Sequence, residues 1–163
     1  MPLKRTLAAL TLTLAAFGQA PPAAAPANVP YGISISAAAA KKIAAAAIAE
    51  ASKNKWAMAV AVVDTGGYLV YFERMPDTQL GSVDVSIEKA KSAVLFRRPT
   101  KSFQDTVAAG GAGLRMLGLK GAVPVEGGIP LIVDGKVIGA VGASGGTSDQ
   151  DGQTAQAGAT AMK

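Results

Sequence analysis

The chain has 163 residues, with 16 lysines and arginines against 11 aspartates and glutamates, and it contains no histidine and no cysteine. These absences exclude Ser-His-Asp and Cys-His catalytic groups, and they remove the usual protein ligands of zinc, iron–sulfur clusters and most haems. The net charge of +5 is modest and few aromatic residues accompany it, so nucleic acid is not expected as a partner.

Residues 1–27 are predicted to be a secretory signal peptide, which leaves residues 28–163 as one domain. Lys4 and Arg5 precede an apolar run over residues 7–17, and a stretch rich in proline and alanine follows. The run is shorter than the roughly 20 residues that cross a bilayer, so no stable membrane insertion is expected after its removal. Cleavage after Ala27 and a periplasmic or secreted location follow. The alternative is a buried apolar helix at the N-terminus.

Two elements are predicted next. The segment from Ser36 to Lys53 is rich in alanine and begins with a natural N-cap residue, so it predicts a helix that packs closely on a neighbour. Two β-prone runs, residues 56–64 and 68–74, then flank the turn sequence at 64–67 and predict a β-hairpin.

A second helix is predicted after this hairpin. Its N-cap is Ser82, and Pro99 forces its end near Arg98. The side chains expected to form its buried stripe are Val83, Ile87, Ala90 and Val94.

The rest of the chain predicts a short helix, a second hairpin and a final helix. Ser102 and Asp105 have capping-box spacing for the short helix, which is expected to end in the glycines after residue 109. Residues 129–133 and 136–144 flank Asp134-Gly135, a pair that suits a type I′ turn. The final helix begins near Ser148. Together these elements predict an α+β fold, an antiparallel β-sheet flanked by helices.

Residues 142–146 spell G-x-S-x-G, the pattern that carries the serine nucleophile of many hydrolases. Ser144 is not expected to be a nucleophile, because the chain has no histidine to activate it and no catalytic residues are predicted. The glycines before the final helix either offer their N–H groups to an anion or permit tight packing. Asp149 and Asp151, in the first turn of that helix, favour packing.

Five cations fall within thirteen residues that contain no acid: Lys89, Lys91, Arg97, Arg98 and Lys101. This segment either attracts an anionic ligand or is the solvated face of a helix.

Three stretches carry a resemblance to a known family: "VVDTGGYLVYFERM", "IEKAKSAVLFRRPT" and "VPVEGGIPLIVDGKVIGAVGASGGTSDQD". They resemble the GlcG/HbpS family of haem-binding and haem-degrading-type proteins over residues 33–162. The resemblance implies a profilin-like α+β fold, haem as cofactor, and homo-oligomers from dimers up to octamers. For exported members it also implies haem sequestration or degradation, or redox-stress sensing with a sensor or transport protein as partner.

The resemblance also implies a haem site around the "RRPT" sequence. Thr100 matches the position of an iron ligand, Phe96 and Phe103 supply apolar contact with the porphyrin, and cations meet its propionates. Those cations are Arg97, Arg98 and Lys101. Further candidates for the metal ligand are Met75, Met116, Tyr68 and Tyr71, for each of which core packing is the alternative.

Three classes of function therefore remain open. The first is an exported haem (tetrapyrrole)-binding protein. The second is a small-molecule enzyme or an accessory protein of a catabolic operon, and the third is an oligomeric signalling or interaction module without a small ligand.

Overall fold

The computed structural model describes residues 29–162, so the predicted signal peptide lies outside the described residues. In chain order the elements are α1 (Ala37–Lys53), β1 (Ala59–Val63), β2 (Leu69–Arg74), α2 (Ser82–Phe96), α3 (Lys101–Ala108), a 3-10 helix (Gly111–Gly118), β3 (Gly128–Val133), β4 (Lys136–Ser144) and α4 (Ser148–Thr160). Within the described part of the chain, no helix combines the length and the apolarity needed to cross a bilayer.

The four strands form one antiparallel sheet in the order β2-β1-β4-β3. Helix α2 covers one face, and α1 and α4 cover the other. Every residue of β1 is buried, since both faces of this central strand are covered. The α+β fold predicted from the sequence is confirmed.

The alanines of α1 allow close packing against α4. Ala40, Ala44, Ala47 and Ala51 are fully buried. On the facing helix, a Cβ added at Gly158 would lie 3.0 Å from a backbone oxygen of α1. The small side chains of both helices therefore set the thickness of this layer.

Helix α2 approaches β4 so closely that the strand carries glycine beneath it. A Cβ at Gly142 would overlap the carbonyl oxygen of Ser86 and lie 2.7 Å from the amide of Ala90. Ala90 and Val94 are buried as predicted, whereas Val83 and Ile87 are only half-buried. The helix is rotated so that its small residues face the strand, and the side chain of a lysine enters the core beside them.

The predicted N-cap of α1 is confirmed, because the Ser36 side chain accepts a hydrogen bond from the Ala39 amide. Ser82 is the first helical residue of α2 and not its cap. Ser102 does not cap α3, which begins one residue earlier. Asp105 instead forms an ion pair with Lys101, and the distance from Lys101 Nζ to Asp105 Oδ1 is 2.7 Å.

The structure contains a capping box at α4, where Thr147 accepts from the Gln150 amide and the Gln150 side chain accepts from the Thr147 amide. The two hairpins are present as predicted. At the tip of the second, Asp134 and Gly135 have positive φ angles of 48° and 71°, as a type I′ turn requires.

Candidate functional site

Thr100 directly precedes α3 and is hydrogen-bonded to Gly128, the first residue of β3. Its side chain is fully buried, and its Oγ1 accepts a hydrogen bond of 2.9 Å from the Gly128 amide. The Thr100 amide donates in turn to the Gly128 carbonyl at 2.9 Å. Because nothing outside the protein reaches this hydroxyl, an iron ion could bind it only if α3 and β3 moved apart.

The two predicted phenylalanines lie beside Thr100 and contact each other. The ring centroids of Phe96 and Phe103 are 5.3 Å apart in an edge-to-face arrangement, and the Arg98 guanidinium lies 5.5 Å from the Phe103 ring. Phe103 is buried, whereas Phe96 is only partly covered. Three of the predicted residues therefore form one aromatic and cationic group.

Arg97 points away from this group, because it ends α2 in the left-handed conformation with φ 53°. Its guanidinium lies 5.3 Å from the Tyr31 ring, and its Nη1 donates to the Val29 carbonyl at 3.1 Å. Arg97 therefore contacts the N-terminal segment of the described chain, whereas Arg98 contacts Phe103. Lys101 is exposed and ion-paired with Asp105.

The 3-10 helix beside this group carries apolar residues that the fold does not bury. None of its eight residues is buried, although Met116 is half-covered. Leu114 and Leu117 are 50% and 65% exposed. This segment contacts α3, and the Phe96 ring lies against the nearby Gly121. We call Phe96, Leu114, Met116, Leu117 and Leu119 the apolar surface.

The remaining ligand candidates lie elsewhere. Tyr71 lies in β2 and Met75 directly follows it, at the edge of the sheet opposite β3. The Tyr71 hydroxyl donates to Glu73 Oε2 at 3.2 Å, and this bond, with burial and the glutamate charge, raises the pKa of Tyr71. Tyr68 is 76% exposed near the tip of the first hairpin. Of the methionines and tyrosines considered, Met116 lies on the 3-10 helix, which contacts the helix that carries Phe103.

A buried ion pair joins α2 to α4, and the sequence did not predict it. Lys89 Nζ lies 2.6 Å from Asp151 Oδ2 and donates to the Ala143 carbonyl at 3.3 Å. Asp151 Oδ1 accepts from the Gly146 amide at 3.0 Å. Burial raises the pKa of Asp151, while the bond and charge of Lys89 act in the opposite direction. Lys89 therefore belongs to the core and not to the exposed part of the basic segment.

One sequence signal could have located this pair. Lys89 lies in a row of small residues at helical spacing, with Ser82, Ser86 and Ala93 on the same face of α2. A charged residue inside a stripe of small residues indicates a buried partner, because an unpaired buried charge is costly.

The glycine-rich turn after β4 is occupied by the protein itself. Ser144 is 5% exposed, and its Oγ lies 3.2 Å from the Ser82 hydroxyl. Lys89, which lies beside this turn, is bound to Asp151, and Asp151 also accepts the hydrogen bond of the Gly146 amide that an anion would need. Among residues 29–162, no group of three or more acidic side chains is placed to hold a metal ion.

The family model described as "Haem degrading protein HbpS-like" matches residues 35–160. Protein GlcG of Escherichia coli strain K12 is 42% identical over 105 residues, which cover 64% of this chain and 77% of that protein.

Two solved structures are similar over most of their length. A double mutant of Streptomyces reticuli HbpS has a TM-score of 0.74 and 29% identity, and the match covers 89% of this chain and 98% of that one. A PduOC:haem complex has a TM-score of 0.71 and 32% identity, with 79% and 95% covered. The fold, the motifs and these matches agree, and the chain belongs to the HbpS-like family.

Proposed function

We propose that this chain is an exported haem-binding protein that holds the porphyrin against the apolar surface. Its family and the haem complex of a relative with the same fold support the ligand class. The observation that carries the proposal is local. The 3-10 helix presents two leucines that the fold leaves largely exposed and a half-covered methionine, as a site for a large flat apolar ligand would.

The residues present fit haem in three respects. Leu114, Leu117 and the exposed part of Phe96 offer apolar contact. Arg98, at the edge of the aromatic pair, offers a cation for a propionate, and Arg115 and Lys120 follow in the same segment. Met116 offers a half-covered thioether to the iron, a ligand type that haem proteins use. Bound haem would supply redox chemistry to this surface.

Thr100 has a different part in this proposal. Its hydroxyl is committed to the Gly128 amide, so it fixes α3 against β3 and thereby positions Phe103 beside Phe96. If the iron instead recruits Thr100, α3 must separate from β3. The effect of substituting Thr100 on the haem spectrum distinguishes these two arrangements.

A hemin titration followed by absorbance tests the site. The purified protein without residues 1–27 is expected to develop a Soret band when hemin is added. Met116→Ala is expected to shift the band and weaken hemin binding about tenfold or more. Met75→Ala is the matched control, because Met75 lies at the opposite edge of the sheet. Thr100→Val should leave the band position unchanged. No Soret band with the unaltered protein, or equal effects of the two methionine variants, would contradict the proposal.

The finer role that we propose is haem sequestration outside the cytoplasm, as an accessory to haem degradation or redox-stress sensing, by a homo-oligomer. The apolar run after Lys4 and Arg5 supports export, and family membership supports the ligand. Expression of the full chain followed by mass measurement of the periplasmic product tests export. A product that retains residues 1–27 would oppose it, and sedimentation of the same product measures the oligomer.

A further inference from the structure

A concave site adjoins Pro99 and Lys101, the residues on either side of Thr100. It is a cleft of about 540 Å³ between the start of α3, the start of β3, α4 and the end of α1. This volume is in the range of pockets that take small molecules. Its polar side chains are Glu50, Lys101, Glu126, Gln153 and Gln156.

The cleft is lined by glycines where neighbouring groups leave no room for a side chain. A Cβ at Gly152 would overlap the Glu126 carboxylate, so this carboxylate rests directly on the backbone of α4. A Cβ at Gly127 would lie 2.9 Å from Lys89 Nζ. The Glu126 amide donates to Gln104 Oε1 at 2.8 Å, which anchors the residue from α3. Glu126 is therefore fixed at the cleft wall by its backbone amide and by the packing of its carboxylate against α4.

This carboxylate lacks a hydrogen-bond partner that its position calls for. Glu126 Oε2 is buried and accepts no hydrogen bond. Burial raises the pKa of Glu126, and the nearby Lys101 charge lowers it. Within residues 29–162, no ion pair shorter than 4.0 Å joins Glu126 to Lys101. An acid and an ammonium thus line one cleft without neutralising each other directly.

We propose that this cleft binds a small organic acid that also carries an ammonium or hydroxyl group, such as an amino acid or a hydroxy acid. The ligand carboxylate binds Lys101, and its donor group binds the Glu126 carboxylate, which must rotate so that the buried, unpaired Oε2 turns towards the cleft. Lys101 is free to make this exchange, because its bond to Asp105 joins two side chains that are 51% and 59% exposed. The amides of Gln153 and Gln156 add hydrogen bonds at the rim.

This site is separate from the apolar surface and goes beyond the proposed haem function. The cleft opens towards α1 and α4, whereas the apolar surface is formed by the 3-10 helix and the end of α2. Glu126 takes no part in the haem proposal, so either proposal can fail alone. In Glu126→Gln the Soret band obtained with hemin should remain.

Isothermal titration of the full mature chain with four probes of similar size tests the chemistry. Alanine carries a carboxylate and an ammonium, and lactate carries a carboxylate and a hydroxyl. Propionate carries only the carboxylate, and ethylamine carries only the ammonium. Alanine or lactate should bind at least about tenfold more tightly than propionate and ethylamine. The better of the two identifies the donor group as ammonium or hydroxyl.

Two variants assign the contacts. Glu126→Gln and Lys101→Met should each weaken binding of the preferred probe about tenfold. The matched controls Glu88→Gln and Lys41→Met alter exposed residues outside the cleft and should leave affinity unchanged. Amide shifts in an NMR titration should centre on Gly127, Gly128 and Gly152 in the unaltered protein.

The pH dependence supplies a further readout. Because burial raises the pKa of Glu126 above its ordinary value, more of the acid keeps its proton in mildly acidic solution, and alanine should bind more tightly as the pH rises and that proton is lost. Glu126→Gln should remove this dependence. Absence of millimolar binding by alanine and lactate, equal binding of propionate, or unchanged affinity in Glu126→Gln would each overturn the proposal.

Discussion

Removing the buried lysine should destabilise the protein far more than removing an exposed lysine from the same helix. Lys89→Met leaves the Asp151 carboxylate with 4% side-chain exposure and no cation. Removal of one partner of a buried pair costs about 3–5 kcal/mol. For a domain of this size, that loss lowers the melting temperature by roughly 10 °C or more.

The matched control is Lys91→Met. Lys91 lies two residues away, and its Nζ is 2.8 Å from Glu88 Oε1, but the two side chains are 40% and 52% exposed. A pair of this kind contributes less than about 1 kcal/mol. Urea unfolding followed by fluorescence of the single tryptophan, Trp56, measures both variants. The double variant Lys89→Met/Asp151→Asn should recover much of the loss, since no charge stays buried and asparagine keeps an acceptor for Gly146.

The pH dependence of Lys89→Met gives the sign of the effect. Without the lysine, only the backbone amides of Gly146 and Gly145 oppose the effect of burial on Asp151, and its folded-state pKa lies further above the ordinary value of 3.8. The protonated acid is tolerated, so the stability deficit relative to the unaltered protein is smallest in acid and grows as the pH rises through the raised pKa. A loss below about 1 kcal/mol at neutral pH, or one no larger than that of Lys91→Met, would refute the reasoning.

Two further predictions concern the contacts of β4 and α4. Gly142→Ala should lower the free energy of unfolding by about 3 kcal/mol or more, because the new Cβ meets the backbone of α2. The control Gly81→Ala meets nothing within 4 Å and should change it by less than about 1 kcal/mol. Equal melting temperatures of the two variants would contradict this prediction. Thr147→Ala should cost about 1 kcal/mol in urea unfolding through loss of the capping box, while Thr147→Ser should retain most of it.

Local chemistry made much of the fold predictable. Ser36 caps α1 and Asp134-Gly135 forms the second hairpin turn because each depends on a few neighbouring residues. The end of α2 shortly before Pro99 was predictable for the same reason, because a proline nearby in the sequence stops the helix. The rotation of α2 was not predictable from its own apolar stripe, because Gly142 on a distant strand decides which face comes close.

The candidate site divides in the same way. Phe96, Arg98 and Phe103 lie together partly because they are close in sequence, whereas Arg97 diverges through a positive φ that the sequence did not indicate. Thr100 was proposed as a ligand, and its burial depends on Gly128, 28 residues away. The Lys89 pair spans 62 residues, so only the assembled fold brings its charges together.

The contact between Arg97 and Val29 gives the proposed maturation step a structural consequence. If export removes residues 1–27, the new chain begins one residue before a carbonyl that Arg97 holds, and the next carbonyl, of Pro30, accepts from Val137. Tyr31 then donates its hydroxyl to the end of α2. In that case, removal of Val29 and the residues after it by an aminopeptidase would first require these hydrogen bonds to break, so the fold would protect the proposed N-terminus from shortening.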